Sequence, residues 1–212
     1  AHLRYAAPLR IAYFRSSIQQ KDTMIKIIGI TGSLRSGSFN TSLLRVATGL
    51  MPSEATLEIA TLKGIPLYDG DIEANEGIPQ AVIALQEQIA AADGLLLATP
   101  EYNNSLPGVF KNAIDWLSRP PSDIVRVFGG RPVAVMGASP GGFGTVLSQN
   151  AWLPVLRTLG TRPWFGGRLL VSRANHVFNE SGEMVDEAAR KQLQDFLAGF
   201  AEFIQVSRKP QS

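Results

Sequence analysis

The chain contains no cysteine. That excludes disulfide frameworks, thiolate zinc sites, Cys-ligated iron–sulfur clusters and thiol nucleophiles together. Histidine is nearly missing as well: His2 and His176 are the only two, so one chain cannot build a poly-histidine metal site. Long apolar runs are absent; Gly94-Leu-Leu-Leu-Ala98 falls far short of the ~18 consecutive apolar residues of a membrane span. A strong charge of one sign is lacking too. The formal charge is +2, but residues 1–23 hold Arg4, Arg10, Arg15 and Lys21 against the single acid Asp22. The remainder has sixteen Lys and Arg against seventeen Asp and Glu, a net of −1. It lacks the basic footprint that binding to phosphate backbones requires, so neither a nucleic-acid nor a membrane partner is expected.

What is present is the composition of an ordinary folded domain, 45% hydrophobic and 18% charged over 212 residues. Residues 1–23 differ from the rest: Arg-rich, acid-poor and without an apolar core segment, they read as an appendage. Upstream translated sequence, an expression remnant and an organellar transit segment are the alternatives, and a secretory signal is not expected. Residues 24–212 read as one domain.

Within it, short apolar runs alternate with helical periodicity. Ile25–Thr31, Thr56–Leu62, Gly94–Thr99, Arg131–Gly137 and Gly167–Ser172 read as five strands. Helices are expected from Asn40 to Leu50 and from Pro79, with Val82, Leu85, Ile89 and Ala92 as its apolar stripe. Others are expected from Pro107 to Leu117, from Thr145 to Leu159 with a kink or junction at Pro154, and from Asp186 to Gln205. Strands joined by helices demand an α/β fold, a doubly wound five-stranded parallel sheet with helices on both faces in three layers. Ligands of such sheets bind beyond the carboxyl ends of the strands. The loops after the first, third and fourth strands are therefore the candidates.

The loop after the first strand, Thr31-Gly-Ser-Leu-Arg-Ser-Gly-Ser-Phe-Asn40, runs straight into a helix. Gly32 and Gly37 permit close backbone approach, Ser33, Ser36 and Ser38 supply hydroxyls, and Arg35 supplies a fixed cation at a helix N-terminus. A plain Gly/Ser turn is the alternative. The loop is not a triphosphate loop, because Ser38 and Phe39 stand where Lys and Ser/Thr must be. It is not a dinucleotide loop either, since Ser33 fills the place of a glycine that admits pyrophosphate. Hydroxyls without a crowd of glycines suit a terminal phosphomonoester, which FMN has.

The loop after the third strand, Thr99-Pro-Glu-Tyr-Asn-Asn-Ser-Leu-Pro-Gly108, is stiffened by proline at both ends and can line the edge of a planar ring. On composition a plain turn with Asn103-Asn104 in the left-handed region is equally compatible. The fourth loop, Ala138-Ser-Pro-Gly-Gly-Phe-Gly144, is again rich in glycine.

Four segments, Gly-Ser-Leu-Arg-Ser-Gly-Ser-Phe-Asn (32–40), Pro-Glu-Tyr-Asn (100–103), Lys-Asn-Ala-Ile-Asp-Trp (111–116) and Ala-Ser-Pro-Gly-Gly-Phe-Gly (138–144), resemble the motifs of the NAD(P)H-dependent FMN reductases. The likeness is nearest to the bacterial chromate and quinone reductases and runs from about Met24 to Ile204. It implies a flavodoxin-like fold, non-covalent FMN, and a homodimer or homotetramer with the flavin near the subunit interface. It places Ser33, Leu34, Arg35, Ser36, Gly37, Ser38, Phe39 and Asn40 around the phosphate and ribityl chain. Pro100, Glu101, Tyr102 and Asn103 border the ring on one side and Ser139 with Gly141 on the other. The implied activity is hydride transfer from NADH or NADPH through FMN to a quinone or similar acceptor, with free flavin, azo compounds and chromate as other acceptors, in the cytoplasm. No side chain is expected to serve as acid or nucleophile, and no metal is expected. Backbone N–H groups near Tyr102 and Asn103 are the expected donors to the ring.

Two rivals remain in view. Gly137-Ala-Ser-Pro-Gly141 has the G-x-S-x-G form of a hydrolase elbow, yet no acid lies between Ser139 and His176, and Pro140 removes the N–H that would follow the nucleophile. A flavodoxin-type electron carrier would be strongly acidic, unlike a body of net charge −1. Trp116, Trp152 and Trp164 read as core or interface anchors, and Asp115 as a subunit contact or an exposed helix charge.

Overall fold

A computed structural model describes residues 24–208. The appendage expected over 1–23 lies outside the described residues. Strand β1 (Ile25–Thr31) is followed by α1 (Phe39–Leu50), β2 (Ala55–Ala60), α2 (Gly70–Glu76), α3 (Gln80–Ala90) and β3 (Gly94–Ala98). After these come α4 (Gly108–Leu117), a 3₁₀ turn (Pro121–Asp123), α5 (Ile124–Val127), β4 (Pro132–Ala138) and α6 (Val146–Thr158). The chain ends with β5 (Arg162–Pro163), β6 (Leu169–Val171), α7 (Ala174–Val177) and α8 (Glu187–Ser207).

All pairings are parallel, in the order β2-β1-β3-β4 with β5 and β6 both on the far side of β4. A parallel sheet must be buried on both faces, and β1 shows why its Ile-rich run suits one. Ile25 and Ile27 pack with Leu43, Leu44 and Phe200 of α1 and α8, while Ile28 and Ile30 pack with Leu85, Phe110 and Trp152 of α3, α4 and α6. These two cores define the three layers. The stripe of α3 faces inward as its spacing requires, with Val82, Leu85 and Ile89 buried. The order reverses between β1, whose crossover leads outward to β2, and β3, which returns to its other side. The loops after β1 and β3 therefore diverge and leave a crevice at the carboxyl edge.

The fifth strand differs from the expected Gly167–Ser172. That position in the sheet is filled by two pieces, β5 beside Pro132 and Val133 and β6 beside Met136 to Ala138. The chain between them loops around Trp164: a Cβ on Gly166 would lie 2.5 Å from the indole Nε1, and one on Gly167 2.7 Å from its far ring edge. Trp164 in turn packs edge-on against Phe196 of α8 at 5.1 Å between centroids. Helix α6 continues through Pro154, where a kink or junction was expected. The carbonyl that the proline leaves without an N–H partner belongs to Asn150, which is exposed to water.

The segment between β2 and α3 is held to α4 by one polar cluster. Trp116 Nε1 and Asn112 Nδ2 both donate to the Pro66 carbonyl, at 3.0 and 2.8 Å. Arg119 Nε donates to both Glu73 oxygens (3.1 and 2.8 Å), and the Tyr68 hydroxyl donates to Oε2 at 2.9 Å. The bond from Arg119 holds the Glu73 carboxyl below its ordinary value near 4.5, and the bond to Glu73 pushes the Tyr68 phenol up. A carboxyl whose value is lower in the folded chain adds stability above its unfolded value, and that stability disappears as pH falls through the folded one. Glu73→Gln is therefore expected to shrink the drop in melting temperature between about pH 7 and pH 4. Parallel drops in variant and parent would contradict the linkage.

Candidate cofactor site

Two close approaches bring the three loops together. Gly32 lies so near the next loop that a Cβ there would be 2.4 Å from the Phe110 ring and 2.8 Å from Pro100 Cδ. Its N–H donates to the Ala98 carbonyl at 2.9 Å. Asn40, in the first turn of α1, makes the second approach. Its Nδ2 donates to the Ala138 carbonyl (2.8 Å) and its Oδ1 accepts from the Ala138 N–H (2.9 Å), a buried pairing across 98 residues. The Asn40 amide thus clips the loop after β1 to the end of β4, leaving its backbone N–H for a ligand.

In the loop after β1, Ser38 caps α1 by accepting from the Thr41 N–H at 3.4 Å. The N–H groups of Phe39 and Asn40 are orphans of the helix start. Ser33 is buried and its Oγ accepts from the Arg35 N–H at 3.3 Å, so the backbone bends back while Leu34, Arg35, Ser36 and Gly37 stay exposed. The Arg35 guanidinium makes no hydrogen bond or ion pair among the described residues, and nothing lies within 4 Å of where a Gly37 Cβ would stand. Phe39 stacks on Phe178 at 5.9 Å between centroids, so its ring belongs to the wall and its backbone to the opening.

The loop after β3 is a built turn. Asn103 (φ 50) and Asn104 (φ 61) both lie in the left-handed region, and Tyr102 and Ser105 exchange N–H to carbonyl bonds at 3.1 and 3.0 Å. Two positive φ values inside such a pair make a type I′ turn, which asparagine tolerates well. The Tyr102 N–H, expected as a ring donor, is therefore committed to Ser105. The N–H groups of Asn103 and Asn104 take no part in that exchange and make no backbone hydrogen bond among the described residues. Glu101 was expected beside the ring, but its Oε2 accepts from the Leu147 and Ser148 N–H groups, at 2.8 and 3.0 Å. Pro100 is buried, Tyr102 is 45% exposed, and beneath them Trp152 Nε1 donates to Thr99 Oγ1 at 3.0 Å.

The loop after β4 is closed by its own serine. The Ser139 hydroxyl donates to the Gly144 carbonyl at 2.5 Å, its N–H donates to Val171, and its carbonyl accepts from Ala174. The Ser139 hydroxyl proton is thus engaged within its own loop. Gly141 is tied through its carbonyl to the N–H of Arg173, itself at φ 48, and nothing but Ser139 Oγ at 3.8 Å approaches its Cβ position. Gly142 is open as well, and Phe143 is 83% exposed beside them. Trp116 and Trp152 are fully buried, and Asp115 pairs with Lys111 one turn earlier on α4. Thr99, Ser148 and Arg173 carry no local sequence signal for their parts in these loops, whereas Asn104 does through the Asn103-Asn104 dipeptide.

The donor set fits the phosphate end of FMN: one guanidinium with no partner among the described residues, three serine hydroxyls and two helix N–H groups, with no carboxylate between residues 31 and 42. The bare glycines at 37, 141 and 142 leave room for a flat group against backbone. A groove of about 260 Å³ lined by Leu153, Leu156, Trp164, Phe165 and Arg168 lies along α6 and the sheet edge, away from these loops. Among the described residues there is no cluster of His, Asp or Glu able to hold a metal, and no helix long and apolar enough to cross a membrane.

The family model described as NADPH-dependent FMN reductase matches residues 25–176. The chain is 47% identical over 173 residues to an NAD(P)H-dependent FMN reductase of Pseudomonas aeruginosa, covering 82% of this chain and 91% of that one. It is 37% identical over 184 residues to the 2-hydroxy-1,4-benzoquinone reductase of Burkholderia sp, covering 87% and 98%. Among solved structures it is similar to FerB, a flavoenzyme NAD(P)H:(acceptor) oxidoreductase from Paracoccus denitrificans. There the TM-score is 0.78 with 32% identity over 87% of this chain and 99% of the other.

Proposed function

The chain belongs to the NADPH-dependent FMN reductase family, and from that premise we propose that its three loops hold one FMN and pass hydride from NAD(P)H to a quinone. The observation that carries the placement is the Arg35 guanidinium, without a partner among the described residues, beside Ser33, Ser36 and Ser38 at the start of α1 in a loop free of carboxylates. FMN supplies the two-electron chemistry when bound, accepting hydride from one substrate and returning it to another.

The protein's own part is binding and orientation. Arg35 and the hydroxyls hold the phosphate with charge-assisted bonds, supported by the N–H groups of Phe39 and Asn40. Asn103 and Asn104 offer backbone N–H groups to the edge of the ring, where such donors favour negative charge. Gly141 and Gly142 keep side chains out of the space opposite. No acid, base or nucleophile on a side chain is required. Quinones are the acceptor class that the relatives support, and those relatives are reductases, which leaves the electron-carrier reading without support.

Exposed apolar side chains, Leu67 at 81% and Phe143 at 83%, support assembly into a homodimer or homotetramer, which light scattering of the purified protein tests. Dependence on NAD(P)H supports a cytoplasmic setting. The activity is tested with the purified yellow protein in the absence of oxygen. NADPH or NADH is expected to bleach the flavin band and benzoquinone to restore it; a chain that stays yellow without a separate reductase would overturn the proposal.

A further inference from the structure

Thr145 stands at the N-cap of α6 without capping it. It is fully buried, and its hydroxyl accepts from Gln149 Nε2 at 3.1 Å in the space beside Gly137. The cap comes from another loop. Glu101 Oε2 takes the N–H groups of Leu147 and Ser148, the second and third residues of the helix, from 46 and 47 positions away. A carboxylate there is favoured twice, by charge-assisted bonds and by the positive end of the helix dipole.

Two residues earlier, the same loop is fastened a second time. Thr99 Oγ1 and Ser148 Oγ are 2.8 Å apart, and Trp152 Nε1 donates to Thr99 Oγ1, all three residues being fully buried. Both neighbours of Pro100 are therefore tied to the first two turns of α6. The type I′ turn, in which the Asn103 and Asn104 N–H groups make no backbone hydrogen bond among the described residues, begins at the very next residue, Tyr102. Helix α6 itself emerges from the loop after β4. Its first turn is thus the common footing of two of the three loops around the cofactor space.

We propose that Glu101 is a positioning residue: its cap on α6 sets the turn at 102–105 in register with the loop after β4, and so fixes the hydrogen-bonding edge that the flavin ring meets. The proposal rests on the FMN reading above. It assigns the Glu101 side chain to the helix and not to the ring, and it gives the buried Thr99, Ser148 and Trp152 the supporting part. Because the role is geometric, an isosteric amide whose oxygen accepts the same two N–H groups fulfils it, whereas a direct electrostatic role toward the ring requires the charge.

The test compares the parent chain, Glu101→Ala and Glu101→Gln, each stripped of flavin and titrated with FMN by fluorescence, with the visible circular dichroism of the bound flavin as a second readout. Glu101→Ala is expected to bind FMN about five- to tenfold more weakly, the scale of one lost helix cap, and to change the dichroism of the ring. Glu101→Gln is expected to restore most of the affinity and the parent spectrum. An alanine variant with lowered melting temperature but parental affinity and spectrum would overturn the proposal, since the cap would then serve stability alone. A glutamine variant that differs from the parent in affinity and spectrum would overturn it too, and stays decisive if the alanine variant does not fold. A parent chain that takes up no FMN would remove the underlying reading itself, an outcome visible before any variant is compared.

Discussion

Arg35→Ala is expected to weaken FMN binding about 10- to 150-fold, the equivalent of roughly 1.5–3 kcal/mol for a hydrogen bond to a charged group. Arg35 is exposed and its guanidinium has no partner among the described residues. Truncation therefore strands no buried group, and the melting temperature of the flavin-free chain should stay within surface-substitution scatter, about ±0.5 kcal/mol. Arg35→Lys keeps the charge but not the planar fork, so partial recovery is expected. The measurement is a titration of flavin-free protein with FMN at low and high salt. Parental affinity in Arg35→Ala would remove this residue from the phosphate site, while equal losses in the alanine and lysine variants would make bidentate geometry the deciding feature.

Gly137→Ala is expected to have the largest effect on the folded chain. A single methyl there would stand 2.0 Å from Thr145 Oγ1 and 2.4 Å from the Thr99 carbonyl oxygen. The threonine hydroxyl is buried and bonded to Gln149, and the carbonyl is backbone at the end of β3, so neither can rotate away. Overpacking of this kind costs about 1–3 kcal/mol or more. For a domain of this size that is a drop of roughly 3–10 °C in melting temperature. The strain falls between the loops after β3 and β4, so FMN affinity should fall together with stability. Gly37→Ala is the control, because its Cβ position faces open space and its backbone needs no positive φ. It should leave the flavin-free chain as stable as the parent and weaken only FMN. Melting of Gly137→Ala at the parental temperature would contradict the close approach of Gly137 to Thr145 and to the Thr99 carbonyl.

The contrast between these two glycines marks what could be read in the sequence. The phosphate loop was legible because its signals are local: a strand, a Gly/Ser turn with one arginine, and a helix in succession. The strands were legible for the same reason, since an Ile-rich run such as 25–31 has few alternatives to a buried parallel strand. Long-range contacts were not legible. Asn40 reads as a ligand by its position, yet its amide pairs with Ala138, 98 residues on. Glu101 reads as a neighbour of the ring, yet its carboxylate caps a helix 46 residues away. In both cases the polar side chain sits near the cofactor space because it builds that space, and residue type alone cannot separate the two roles. The small elements α2, α5, α7 and β5 have too few residues for periodicity to register. They owe their form to tertiary ties such as Glu73 with Arg119 and Trp164 with its flanking glycines.

The placement of the cofactor is tested most directly by titrating the flavin-free chain with FMN and, in parallel, with riboflavin, which has the same ring but no phosphate. FMN is expected to saturate at one equivalent per chain and to bind at least about tenfold more tightly than riboflavin, since the phosphate bonds to Arg35 and the serines are absent from the latter. Equal affinity for the two flavins, or no uptake of either by folded protein, would contradict it.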